Sequence, residues 1–398
     1  MGLCSKGQEM PNIIICGGSL AGMACAIRLK QLGYDPVIFD KSRFPRKKLC
    51  GEFLGPDAFP LLQILGVFES VKAHAYGPVE KTLFYNQKGQ ALTIHHRWIH
   101  RQWPYALAIP RETLDNLLIR HAQDLGLQCH EQCRITAAIR LRNAKFVVEV
   151  LREEADLTRP KEQAEAEILV DATGRNGNLF LQAHPPPKAQ GNHRVGIQCH
   201  VRFNEKLPQK DLAMFLFPGG YGGIQPISSQ TANLCMMLDA SLAKSMHDPF
   251  RDFITATIGQ NPAASHYLTN TSRDGDFSTT ANINLPLANQ LQKRKHPDDA
   301  ALIRVGDALV TVDPFTGSGM AHALETGMLA AEIIHTGLQN KQDYRIIQAQ
   351  YQQAYRRRFQ ARLHFMNRFR PLLESTQLQN LAWPLLPPLM PLLAHVLR

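Results

Sequence analysis

Ile13-Ile14-Ile15-Cys16-Gly17-Gly18-Ser19-Leu20-Ala21-Gly22 joins a run of β-branched and apolar residues to a glycine turn, and small side chains follow from Met23 onward. The apolar run suits a buried parallel strand, and Ala21 to Leu32 reads as a helix that Gly33 ends. Gly17 permits the tight turn between them, and Gly22 permits close approach of helix and strand. The unpaired amides at the helix start, backed by the helix dipole, suit a phosphate. One position departs from G-x-G-x-x-G: Ser19 stands where the second glycine is expected. Val37-Ile38-Phe39-Asp40 supplies a second strand. It ends on an acid roughly 20 residues beyond the turn, where a carboxylate accepts hydrogen bonds from an adenosine ribose.

A second loop-to-helix junction lies near the other end of the chain. Ala301 to Val305 reads as a strand, Gly306-Asp307 follows it, and after Pro314-Phe315-Thr316-Gly317-Ser318-Gly319-Met320 a helix runs through Ala321, Ala323 and Leu324 to about Gly337. A nicotinamide dinucleotide needs no such junction. A flavin does: amides at a helix N-terminus stabilise the negative charge that develops at the N1–C2=O edge of a reduced isoalloxazine. Asp307 is placed for the ribityl or pyrophosphate side. Read jointly, the two junctions describe an FAD site.

The set resembles the flavoprotein superfamily built on the para-hydroxybenzoate hydroxylase fold, which contains class A aromatic hydroxylases, geranylgeranyl reductases and flavin-dependent halogenases. The residues that carry the resemblance are Gly17 to Gly22, Asp40, Phe44-Pro45-Arg46-Lys47-Lys48-Leu49-Cys50-Gly51-Glu52, Arg111 in Pro110-Arg111-Glu112-Thr113-Leu114-Asp115, Asp171-Ala172-Thr173-Gly174-Arg175, and the Gly306 to Met320 cluster. The resemblance implies that Arg111 approaches the FAD phosphates, that Gly51 and Glu52 lie close to the flavin, and that Ala172, Thr173 and Gly174 border the same cofactor. It also implies that NADH or NADPH docks transiently, since no second dinucleotide fingerprint is present. Halogenases of the tryptophan type carry Trp-x-Trp-x-Ile-Pro. Trp98, Trp103 and Trp383 stand in no such pattern.

The fold class expected is α/β, a Rossmann-like FAD-binding domain interleaved with a β-sheet-rich substrate domain and followed by a C-terminal helical segment. A chain of 398 residues exceeds the usual size of one core. Residues 1–78, 106–194 and 293–340 are assigned to the FAD-binding domain, 79–105 and 195–292 to the substrate domain, and 341–398 to the tail. Runs such as Val195 to Phe203, Leu212 to Phe217 and Thr231 to Leu238 predict the second sheet. In Gly219-Gly220-Tyr221-Gly222-Gly223-Ile224-Gln225-Pro226 the glycine density fits either close approach of a ligand or a bulged turn. His200 and Tyr221, on this sheet, are the pocket candidates. No acid or base is singled out as catalytic.

The eight cysteines show no regular framework, and the polar Met1 to Pro11 stretch is too short for a signal peptide, so a reducing cytoplasmic setting is expected. Cys129-His130-Glu131-Gln132-Cys133 lacks a second ligand pair, and no metal site is expected. The net charge of +10 is clustered. Lys41, Arg43, Arg46, Lys47 and Lys48 crowd the loop after the second strand, near where a pyrophosphate or nicotinamide phosphate would come. Arg356, Arg357, Arg358, Arg362, Arg368 and Arg370 share a helix with an apolar stripe of Tyr351, Tyr355, Phe359 and Leu363. No nucleic-acid motif accompanies the charge. The Leu- and Pro-rich segment from Leu381 to Leu393 cannot form a spanning helix, and three readings stay open: a strap on the protein's own surface, an oligomer contact, or a peripheral contact with anionic lipid.

In this fold the cofactor does the difficult step while protein groups fix geometry and exclude water. The reading preferred is an FAD monooxygenase that uses NAD(P)H and O2 on an aromatic or polyketide-like hydrophobic substrate, free, carrier-linked or protein-linked. Its variant hydroxylates a tryptophan of a partner protein. The alternatives are an ene-reductase of polyprenyl type and a binding or assembly protein that keeps FAD structurally.

Overall fold

The computed structural model describes residues 12–140, 145–152, 162–175, 194–207, 210–247, 249–280 and 302–392. Its centre is a five-stranded parallel sheet in the order Leu302–Arg304, Ile168–Asp171, Ile13–Cys16, Val37–Phe39, Cys129–His130. All four residues of Ile13–Cys16 are buried because both faces of the sheet are covered. Ile13 and Ile15 point into a core shared with the helices Leu20–Gln31, Arg111–Asp124 and Gly319–Gln339. Ile14 and Cys16 point the other way, onto a three-stranded antiparallel sheet of Cys133–Arg140, Phe146–Arg152 and Glu162–Ala166. An unbroken apolar run is what a strand buried on two faces requires. Cys129 and His130 serve here as the edge strand, with the His130 ring stacked on Phe39 at 4.9 Å.

The second unit is a seven-stranded sheet in the order Thr271–Thr280, Arg194–Phe203, Thr231–Asp239, Gly220–Pro226, Leu212–Phe217, Lys81–Tyr85, Ala91–His95. Leu212–Phe217 and Lys81–Tyr85 pair in parallel; the other pairs are antiparallel. The stretch expected to be strand-rich from 195 is interrupted by helices at Phe250–Ala256 and Pro262–Leu268. Their Phe253, Ile254 and Leu268 cover the back of the sheet over Ile197, Phe215, Ile224 and Leu234, so an apolar face that strands alone would leave wet is closed by helix. Residues 281–292 of the expected segment lie outside the described residues, as do Cys4 and the Met1 to Pro11 stretch. The glycines of Gly220–Pro226 answer to packing: a Cβ on Gly222 would lie 2.7 Å from Met236 and 2.8 Å from Ile258, and one on Gly223 would lie 2.6 Å from the Met214 sulfur.

The tail begins with the helix Tyr344–Glu374, which buries Tyr351, Tyr355 and Phe359 and exposes Arg356, Arg357 and Arg358. A short helix, Thr376–Ala382, and two 3₁₀ turns follow, and together they form a strap over the edge strand Ala91–His95. Trp383 and Met390 are buried against Leu92 and Ile94, and Trp383 Nε1 donates to the Gln90 carbonyl at 3.0 Å. The opposite side of the strap exposes Leu381, Leu385 and Leu392. Among the described residues no helix is long and apolar enough to cross a membrane.

Two helices from opposite ends of the chain meet where side chains are smallest. A Cβ on Gly327 would sit 2.1 Å from the Ala21 carbonyl oxygen, and one on Gly306 would sit 2.9 Å from the Ala21 Cβ. Gly327→Ala is expected to destabilise the protein by about 3 kcal/mol. Urea denaturation of the variant beside the wild type checks this, and an unchanged midpoint would show that the two helices can part without cost.

Candidate functional site

The phosphate turn is fixed by its neighbours before any ligand is considered. Gly17 adopts φ +112, and its amide donates to the Phe39 carbonyl at 2.8 Å. A Cβ on Gly22 would lie 1.9 Å from the Gly17 carbonyl oxygen, so this glycine is dictated by sterics. Asp40 accepts from the Gly18 amide at 2.7 Å through Oδ2 and from the Ser42 amide at 2.7 Å through Oδ1. It therefore braces the turn from the second strand. Each oxygen keeps a further lone pair for a ribose hydroxyl.

Ser19 needs no glycine conformation, since its φ is −92. Its hydroxyl accepts from Arg111 at 2.9 Å and donates to Asp115 Oδ2 at 3.1 Å. Arg111 also binds Asp115 Oδ1 at 2.9 Å, and Lys48 Nζ donates to Ser19 Oγ at 3.4 Å. Sequence reasoning placed Ser19 as a weakened glycine. The structure makes it the hub of a buried network, and Asp115, four residues after Arg111, is the partner that reasoning missed.

The electrostatics of this network fit a diphosphate. Burial alone would raise the Asp115 carboxyl, but Arg111, Lys48 and Arg46 hold it below the usual carboxylate range. Burial pushes Lys48 down to about 8, helped by the repulsion of Arg111 and Arg46. Arg46 lies 3.8 Å from Asp115 and 3.9 Å from Asp40. Among the described residues Lys48 hydrogen-bonds Ser19 and no carboxylate. Arg46, Lys48 and Arg111 thus crowd around Asp115 and Asp40 in a partly buried cluster, with Asp307 also acting on Lys48, and a ligand carrying negative charge at the turn would be drawn to it.

The remaining cofactor candidates border open space. Beside Gly51, Gly174 and Gly319 no heavy atom lies within 4 Å of where a Cβ would be, in contrast to Gly17 and Gly22. Thr173 is fixed to Asp171 through its amide at 3.1 Å, the Ala172 amide donates to Cys16 O at 2.8 Å, and Arg175 stands 3.8 Å from Asp307. The first-turn amides of Gly319, Met320 and Ala321 have no acceptor within the Gly319–Gln339 helix, and the Ser318 side chain before it does not cap them. Leu20, Ala21 and Met320 are buried in the helix packing. Lys41 and Pro314 are exposed.

The Cys50–Glu52 loop is stapled to the seven-stranded sheet. Cys50 N donates to Gln198 Oε1 at 2.9 Å, and Cys50 O accepts from Asn233 at 2.9 Å. Glu52, at φ +55, accepts from Gln198 at 3.1 Å and bonds His200 Nε2 at 3.1 Å. That bond to Glu52 raises His200 above its ordinary value. Tyr221 donates to Asp313 Oδ1 at 2.6 Å and meets the Phe315 ring edge-on. Burial pushes its hydroxyl well up, and Asp313 adds to this.

Between these supports and the strap lies a partly open, apolar cavity. Its walls include Phe53, Phe84, Leu92, Ile94, Phe315, Trp383, Leu386 and Met390, and its floor is the Thr316–Ser318 turn. Neither His200 nor Tyr221 lines it. Of the polar groups that do, Thr316 and Ser318 belong to the turn singled out in the sequence, whereas Asp57, Thr82 and His96 were missed, although the period-two alternation of Thr82 with Phe84 and of Leu92 with Ile94 carries the signal.

Residues 10–365 match the family described as FAD binding domain. The flavin-dependent halogenase armH1 of Armillaria mellea is 23% identical over 356 residues, covering 81% of this chain and 64% of that protein. The chain thus spans under two thirds of that relative's length. The menaquinone reductase of Mycobacterium tuberculosis is 22% identical over 346 residues, covering 82% of this chain and 77% of that protein. The structure of PqsL from P. aeruginosa in complex with 2-aminobenzoylacetate superposes with a TM-score of 0.74 at 17% identity, over 93% of this chain and 98% of that one.

Lys48→Met is expected to weaken FAD binding about tenfold or more, the worth of one charge-assisted hydrogen bond. The pH dependence follows from Lys48 titrating at about 8 in the free protein. A diphosphate raises that value, so affinity is fullest below about pH 8 and falls as the pH rises beyond it, whereas the Met variant loses this slope. Flavin fluorescence quenching across the pH range measures both effects. Equal affinity and equal slope in the variant would remove Lys48 from the site.

Proposed function

Because this chain belongs to the FAD binding domain family, we propose that it is an FAD-dependent oxidoreductase, a monooxygenase that uses NADH or NADPH and O2 to hydroxylate a hydrophobic aromatic or polyketide-like molecule. The observation that carries this reading is the apolar cavity ending on the Thr316–Ser318 turn, directly before the amides of Gly319 and Met320. When bound, FAD supplies the redox chemistry, activating oxygen or delivering hydride.

The chain's own residues then divide the work. Lys48, Arg111 and the first-turn amides of the Leu20–Gln31 helix hold the diphosphate. Gly51 and Gly174 leave room beside it, and the Gly319 and Met320 amides stabilise negative charge at the ring edge. Phe53, Phe315 and Trp383 exclude water from the reacting face. Exposed Lys41, Arg43 and Lys47 offer a landing site for the phosphates of a transient nicotinamide. That the PqsL structure holds 2-aminobenzoylacetate, an aromatic molecule, supports the substrate class.

A second reading, reduction of an alkene in an isoprenoid molecule, is favoured by the likeness to menaquinone reductase and by the cavity's apolar walls. One assay separates the two. Purified holoenzyme is supplied with NADPH, an aromatic substrate panel, bromide and isotopically labelled O2, and products are read by mass spectrometry. Labelled oxygen in the product is expected. Turnover under argon with an alkene saturated would transfer the proposal to the reductase, and bromine in the product would transfer it to the halogenase chemistry named for armH1.

A further inference from the structure

The apolar cavity has few polar atoms, and their hydrogens are already committed. His96 Nδ1 lies 2.8 Å from the Val79 carbonyl oxygen, which can only accept, so Nδ1 carries the proton. Burial pushes His96 down to about 4, so the ring is neutral near pH 7 and Nε2 is a bare acceptor. Thr82 Oγ1, 3.0 Å from Nε2, must then be the donor. Its hydrogen is spent on His96, and only lone pairs are left for a ligand. Thr82 is 5% and His96 1% exposed, so water does not relieve this polarity.

The floor of the cavity repeats the pattern. Thr316 Oγ1 donates to the Asp313 carbonyl at 3.0 Å and so accepts from Ser318 Oγ at 2.6 Å. Ser318, too, has given its hydrogen away. Asp57 is a charged side chain on the wall, and among the described residues no lysine or arginine lines the cavity.

We infer that this cavity selects a neutral lipophilic ligand that donates a hydrogen bond, such as a phenol or an indole-type N–H, with Thr82 Oγ1 as the acceptor, and that it rejects carboxylates. The inference rests on the cavity being the substrate site and names the substrate class for it. An acceptor-only apolar site leaves a donor-free ligand with Thr82 unsatisfied, and gives an anion neither a donor nor a countercharge. Thr82 is thereby a specificity-determining residue and His96 a positioning one, which fixes the direction of the Thr82 hydroxyl.

The test uses FAD-loaded protein, its loading checked by visible absorbance, and three probes measured by calorimetry at neutral pH: β-naphthol, its methyl ether, and β-naphthoate. β-Naphthol is expected to bind about tenfold tighter than the ether, and the naphthoate about tenfold weaker than the ether. Thr82→Val, which keeps the side-chain shape, should bring β-naphthol to the affinity of the ether and leave the ether unchanged. Equal affinity for naphthol and ether in the wild type, tightest binding of the naphthoate, no binding of any probe, or an unaltered naphthol affinity in the variant would each overturn the inference. The ranking consumes neither NADPH nor O2. It can therefore hold where the monooxygenase reading fails, and fail where that reading holds.

Discussion

The contact of Gly327 with Ala21 sets the spacing of everything that matters for the cofactor. It brings the helix that starts at Gly319 against the helix that starts at Leu20, so two amide-bearing turns from opposite ends of the chain come to border one space. Gly306 repeats the device at the sheet end, where it presses on the same alanine. Small residues on both helices are thus a distance setting rather than a propensity effect. A larger side chain would move one phosphate-length ligand's two anchors apart, and packed interiors have little slack to absorb this.

Electrostatics then give each end of the site a different character. At the first turn, cations are held in a buried cluster whose one fully buried acid, Asp115, is shared among Arg111, Arg46 and Lys48. Such a cluster is stable only because the acid neutralises part of it, and it draws an anion because the acid does not neutralise all of it. At the other end, charge is nearly absent from the cavity walls. The boundary runs along the Phe53 loop and the Thr316–Ser318 turn. Glu52, bonded to Gln198 and His200, and Asp313, bonded to Tyr221, tie those two segments to the seven-stranded sheet.

Much of this was legible in the chain. Ile13 to Gly22, Asp40 and the Gly306 to Met320 cluster each carry a local signal, because a phosphate turn is specified by residues adjacent in sequence. What stayed hidden depends on partners far away. Ser19 reads as a defective glycine until Arg111 and Asp115 are folded beneath it. Gly222 and Gly223 read as either a ligand approach or a bulged turn until Met236, Ile258 and Met214 fill the space above them. The helices at Phe250–Ala256 and Pro262–Leu268 were taken into a strand-rich segment because their apolar residues belong to the same core as the strands they cover. His96 looks like an ordinary loop histidine, and only the pairing of Lys81–Tyr85 with Ala91–His95 reveals that it faces Thr82.

The two groups picked from the second sheet as pocket candidates instead show why no protein acid or base stands out. His200 through Nε2 and Tyr221 through its hydroxyl each bond a carboxylate that belongs to a loop, Glu52 in one case and Asp313 in the other. They stabilise loop positions from behind. A side chain tied in this way cannot follow a substrate proton without releasing the loop it holds. Of the polar groups that do line the cavity, the Thr82 and Thr316 hydroxyls already donate elsewhere, and the His96 ring is held by Thr82 and the Val79 carbonyl. A protein built so has arranged to position and to exclude, and leaves bond-making to the cofactor its charged end is shaped to hold.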